Sequence, residues 1–125
     1  MQYSSASHNL TFIIFIIFLF THGVQSYVTG VSTTQAGHWC SGFFHLYVTD
    51  CYGTVILDPG FKSCDFPDVL LWWNEAPSHY CVHAYPQTHP QRNRYQEVHD
   101  SNSCFGLYGG YEDWSFDPQD MKYCQ

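Results

Sequence analysis

Positive charge is scarce in this chain. Four lysines and arginines stand against eleven aspartates and glutamates, for a formal net charge of −7 at pH 7. A protein that grips phosphate backbones needs a clustered basic stripe. Only Arg92-Asn93-Arg94 offers a small basic spot, and it reads as a solvated loop. The balance excludes nucleic acid as a partner and argues equally against binding of the mature chain to an anionic membrane. Other signals are missing too. The sequence has no Cys-x-x-Cys knuckle, no Gly-x-Ser-x-Gly elbow, no sustained helical period and no second apolar stretch long enough to span a bilayer.

The first residues set the expected compartment. Leu10–Phe20 is apolar except for Thr11. As a helix this run rises only ~16 Å, about half of a ~30 Å hydrocarbon core, so it reads as the middle of a signal peptide rather than a membrane span. Val24 and Ser26 are small residues suitably placed for a cut after Ser26, with a cut after Gly23 as the other candidate. Residues 1–26 are thus the expected signal peptide and 27–125 the secreted mature domain, roughly a hundred residues long. The only Asn-x-Ser/Thr sequon, Asn9-Leu10-Thr11, falls in the leader.

A chain this short cannot build a large core, so its abundant aromatics (19%) and its six cysteines must share the work. The cysteines fall into two threes with matching neighbours. His38-Trp39-Cys40, Cys51-Tyr52-Gly53 and Asp58-Pro59-Gly60 through Cys64 are followed in the same order by His79-Tyr80-Cys81, Cys104-Phe105-Gly106 and Asp117-Pro118 through Cys124. This reads as an internal duplication, copy one at about 37–66 and copy two at about 78–125. The extra length of copy two falls largely in the polar, turn-rich stretch 86–103, expected to be a surface loop.

Three cysteines cannot close among themselves. Either a disulfide ties the copies together, or the thiols serve another purpose. One alternative is three disulfides, the default for a small exported domain. The other is a Cys3His zinc site in each copy, two ions per chain, with ligands His38, Cys40, Cys51 and Cys64, then His79, Cys81, Cys104 and Cys124. Residues i and i+2 of a strand share a face, so each His-x-Cys can converge on one tetrahedral ion while Trp39 or Tyr80 packs on the opposite side. An extracellular life favours disulfides and a reducing cytosol favours metal.

Short strands are expected at 43–49, 54–57, 69–73, 80–85 and 104–108, all rich in aromatic and β-branched residues. Asp50–Gly53 reads as a hairpin turn. The expected fold is small and mainly β, two duplicated β-hairpin modules stabilised by cysteine and histidine through zinc or disulfides, with 69–73 packed in their seam. One continuous sheet is the alternative. Tyr108, Tyr111, Glu112, Asp113 and Trp114, aromatics and acids in a Gly-flanked loop, are the expected partner-binding residues. His45 and His83 read as half-exposed strand residues. A ribonuclease-like acid–base pair from the histidines would need a basic groove that the charge does not provide.

A leader, about a hundred residues, six cysteines with aromatic neighbours and no enzyme motif together resemble the secreted effectors of plant-pathogenic fungi. The design is similar to the duplicated, cysteine- and histidine-rich zinc-binding avirulence effectors of rust fungi. It differs from the mildew-type aromatic-x-Cys signature, because Trp39 and Tyr80 directly precede their cysteines. The resemblance implies a non-enzymatic virulence protein that is translocated into the host cell, binds a host protein, modulates immunity and is detected by an intracellular immune receptor. An extracellular inhibitor or carbohydrate-binding module is the alternative from another class.

Overall fold

Alternation along Phe43–Thr49 sets the architecture. Phe44, Leu46 and Val48 are fully buried while Phe43, His45 and Tyr47 project to the other side, as a half-buried strand requires. The computed structural model describes residues 25–125; the apolar run Leu10–Phe20, on which the signal-peptide reading rests, lies outside the described residues. Among the described residues no helix is long and apolar enough to cross a membrane.

Eight strands follow in order: β1 (Tyr27–Ser32), β2 (Phe43–Thr49), β3 (Val55–Ser63), β4 (Val69–Ala76), β5 (His79–Pro86), β6 (Arg94–His99), β7 (Ser103–Gly109) and β8 (Trp114–Pro118). Short 3-10 turns occupy Pro90–Arg92 and Met121–Cys124. The strands form two four-stranded sheets, β4-β1-β7-β8 and β3-β2-β5-β6. All neighbours are antiparallel except β1 and β7, which run parallel with Gly30 beside Cys104. Phe44, Leu46, Val82 and Ala84 from one sheet and Val31, Leu71, Phe105, Leu107 and Phe116 from the other make a single core. The Tyr80 side chain is wholly buried, and its hydroxyl donates to the Ser101 carbonyl (3.0 Å) and meets Ser103 Oγ (2.9 Å). Along one flank Arg94 of β6 donates to the Trp114 carbonyl and Gln96 donates to that of Phe116 (2.8 Å), joining the sheet edges.

The expected cysteine-stabilised, mainly β domain is what forms, and the disulfide alternative is the one realised. Cys40 pairs with Cys64, Cys51 with Cys81 and Cys104 with Cys124, leaving no free cysteine among the described residues. Each bridge has its own task. Cys40 stands beside the end of β7 and Cys64 just past β3, so their bond joins the two sheets. Cys51–Cys81 ties the β2–β3 turn to β5. Cys104–Cys124 pins the last 3-10 turn against the outer side of β1 and β7, so close that a Cβ on Gly30 would lie 2.9 Å from Cys124 Sγ.

Three readings from the sequence are corrected. The Cys3His sets of His38, Cys40, Cys51 and Cys64, and of His79, Cys81, Cys104 and Cys124, do not assemble, because every sulfur is consumed in a disulfide. The matched landmarks occupy different settings: Cys51 lies in a tight turn with φ 72° and Cys104 in a buried central strand. The stretch 86–103 is not a plain loop but holds β6, an edge strand whose polar composition suits solvent on its outer side. Residues 69–73 belong to β4 in the opposite sheet, with Leu70 and Leu71 buried and Trp72 outside, and fill no seam between copies. The expected hairpin turn does form, with Asp50 accepting from the backbone N–H groups of Tyr52 (2.8 Å) and Thr54 (3.0 Å).

Replacing Cys51 and Cys81 together by serine releases a loop with a sequence separation of 30. The expected loss is about 3–4 kcal/mol of unfolding free energy in urea titrations at pH 7. A loss below about 1 kcal/mol would show that the turn is held by other contacts.

Candidate functional site

The expected partner loop turns out to be largely scaffold. Trp114 is only 4% exposed and Tyr108 9%. The Tyr108 hydroxyl accepts from Gln35 N (3.1 Å) and donates to Gln119 Oε1 (3.0 Å), and Arg94 stacks 4.5 Å over the Trp114 ring. Tyr111 packs against Phe44 and accepts from Phe43 N through its hydroxyl (2.9 Å). Glu112 and Asp113 are exposed, and Glu112 pairs with Arg92 at 3.4 Å. Burial leaves little of the Tyr108 and Trp114 rings for a partner to touch, although both line a shallow hollow beside His38 and Trp39.

The residues that do converge lie on the outer face of β3-β2-β5-β6. Every second side chain of β2, β5 and β6 faces outward there: His45 and Tyr47, then His79, Cys81, His83 and Tyr85, then Tyr95, Glu97 and His99. Antiparallel register sets His45 beside Tyr85, Tyr47 beside His83, and His83 beside Tyr95. The rings pack on one another, Tyr47 flat on His83 at 4.5 Å and Phe61 of β3 against His45 at 4.7 Å.

Hydrogen bonds order this face. Asp58 can only accept, so His45 donates from Nε2 to Asp58 Oδ1 (2.7 Å), leaving Nδ1 to accept from the Tyr85 hydroxyl (2.6 Å). Burial pushes the Tyr85 phenol above its ordinary value, so it stays protonated and is not an activated nucleophile. His83 donates from Nδ1 to Asn93 Oδ1 (3.1 Å) and accepts at Nε2 from Thr49 (2.9 Å), while Asn93 donates to the Tyr47 hydroxyl (2.5 Å). Burial holds the His83 imidazole below its ordinary value, with only partial opposition from the Asn93 bond.

An open cleft of about 570 Å³ runs along this face, with Tyr52 on one side, Tyr95 on the other, and Thr49 and the Cys51–Cys81 bridge within it. At one end Glu97 Oε2 accepts from His79 Nε2 (2.6 Å) and His99 Nε2 (3.1 Å). These bonds, that from His79 foremost, hold the Glu97 carboxyl below its ordinary value. Of the residues expected to bind metal, His79 alone joins this group. His38 is exposed and lies against Tyr108. Comparison with family models, curated proteins and solved structures finds no match to this chain.

His45 and His83 are half-exposed strand residues as expected, and the structure adds that they share one surface. The signal lay in the period of two: His-x-Tyr, His-x-Cys-x-His-x-Tyr and Tyr-x-Glu-x-His each put their chemistry on one side of a strand.

His83 gives the face a pH dependence. The unfolded chain takes up a proton below about the ordinary value of 6.5, whereas the buried imidazole resists it, so this group contributes stability above that pH and loses it as the pH falls. Urea midpoints measured from pH 7.5 to 5.5 should fall, and His83→Gln should fall less steeply. Parallel slopes for the two proteins would remove His83 from the effect.

Proposed function

We propose that the mature chain is a secreted, non-enzymatic effector that binds a host protein through the outer face of β3-β2-β5-β6 and so modulates host immunity. The observation that carries the reading is the continuous aromatic and imidazole surface beside an open cleft, on a domain whose core is already complete between its sheets. Tyrosine supplies large contact area and a hydroxyl at small entropic cost, which is why it concentrates at binding hot spots. Tyr52 at 82% and Tyr95 at 59% exposure are the principal candidates. Both nitrogens of His45 and of His83 are already bonded, which supports binding over acid–base chemistry. Three disulfides suit an oxidising compartment, and favour a host protein met outside the cell over an intracellular immune receptor.

A carbohydrate is the second reading. Exposed tyrosine rings flanking a cleft that also contains the Glu97 carboxylate offer stacking and hydrogen bonding together.

Tyr52→Ala combined with Tyr95→Ala should weaken recovery of a host extracellular protein by about 30-fold, the effect of losing a 2 kcal/mol hot spot, with unchanged thermal melting. Trp72→Ala, on the opposite sheet, should leave it unchanged. Loss with Trp72→Ala and retention by the double variant would move the interface to the other sheet. Glycan-array binding lost in the double variant would replace the protein partner by a sugar.

A further inference from the structure

His79, Glu97 and His99 make an arrangement that the fold does not require. His79 of β5 and His99 of β6 are directly paired across the hairpin, and Glu97 stands two residues along on the same face. The imidazoles stack at 4.1 Å with only 14° between their planes, and both Nε2 atoms lie within hydrogen-bond reach of the same carboxylate oxygen. The three donor atoms lie within 4.8 Å of one another.

We propose that these three side chains hold one divalent transition-metal ion of the zinc type at the end of the cleft. Two imidazoles and one carboxylate suit a borderline cation, whereas calcium and magnesium take sets of oxygen ligands. Bonds of about 2.05 Å at tetrahedral angles place ligand atoms ~3.3 Å apart. The present separations of 2.6 and 3.1 Å therefore need to open by less than ~1 Å when the ion replaces the two bridging protons. Each imidazole then carries its proton on Nδ1, with no change in its charge. Glu97 and His99 are both exposed, and His99 tilts out of its stack on His79 so that both in-plane lone pairs meet at the ion. Three protein ligands leave a fourth position for water or for a donor atom of a bound partner. Cys51 and Cys81, although close to Glu97, supply no ligand because their sulfurs are bonded to each other. The site does not depend on what docks on the rest of the face, so loss of the partner interaction would leave it standing.

Titration of the oxidised mature chain with zinc chloride at pH 7.5, followed by calorimetry, tests this. One zinc per chain is expected, with at least a ~10-fold weakening in Glu97→Gln and in His99→Ala and none in His89→Ala. Calcium and magnesium chloride should give no binding heat. Thermal melting and a free-thiol count of zero would show that both variants keep the fold. Nitrogen-15 spectra of the histidine rings should show zinc on Nε2 of His79 and His99. No saturable one-to-one binding, equal binding by the two variants and the parent chain, or comparable binding of calcium would each overturn the site.

Discussion

The Cys51–Cys81 disulfide joins a tight turn to the strand beside it, and the surface of the molecule is organised around that bond. Cys51 adopts a left-handed backbone conformation in the turn, which β-branched and bulky residues rarely tolerate. Anchoring the turn to β5 raises Tyr52 and Gly53 as one side of the cleft and sets the bridge itself among its lining residues. The β5–β6 hairpin then brings Tyr95 and Glu97 to the other side. Without that bond the turn would be fixed mainly by the Asp50 side chain and by strand pairing, both open to water. The carboxyl of Asp50 is held below its ordinary value by the N–H groups it accepts from, so it remains an acceptor.

A small domain has to divide its aromatics between a core and a surface. Here the strand period does the dividing. Tyr80, Phe44 and Trp114 point inward, while Tyr47, Tyr85 and Tyr95 point outward from the same or neighbouring strands. The outward set is stabilised without burial in a second layer, because Tyr85 bonds to His45, Asn93 links His83 to Tyr47, and the rings stack. Preorganisation of this kind lowers the entropy lost on binding, since fewer rotamers need to be frozen. The net charge of −7 opposes self-association of such an aromatic surface.

Much of the fold was legible in the sequence, and the parts that were not share a physical cause. β2, β4, β5 and β7 show as runs of β-formers, and the Asp50–Gly53 turn shows through its residues. What a linear pattern could not reveal was non-local. β1 is recognisable only through its partners, β4 on one side and the distant β7 on the other. β6 is polar because it lies at an edge, and β8 follows a glycine-flanked loop that looked exposed. Pairing of the cysteines depends on where strands meet, so the repeated His-aromatic-Cys pattern suggested metal where the geometry makes disulfides. The same pattern was half informative: Tyr80 packs inside as expected of the residue between His79 and Cys81, whereas Trp39 between His38 and Cys40 is 66% exposed.

The site was less legible than the fold, since it is assembled from four strands with no single motif among them. Its existence in this form rests on the disulfide pairing. Proteolysis of the non-reduced protein followed by mass spectrometry of the linked peptides tests that most directly. The account predicts Cys40–Cys64, Cys51–Cys81 and Cys104–Cys124 with no free thiol. Recovery of Cys51 as a thiol, or joined to any cysteine other than Cys81, would contradict it.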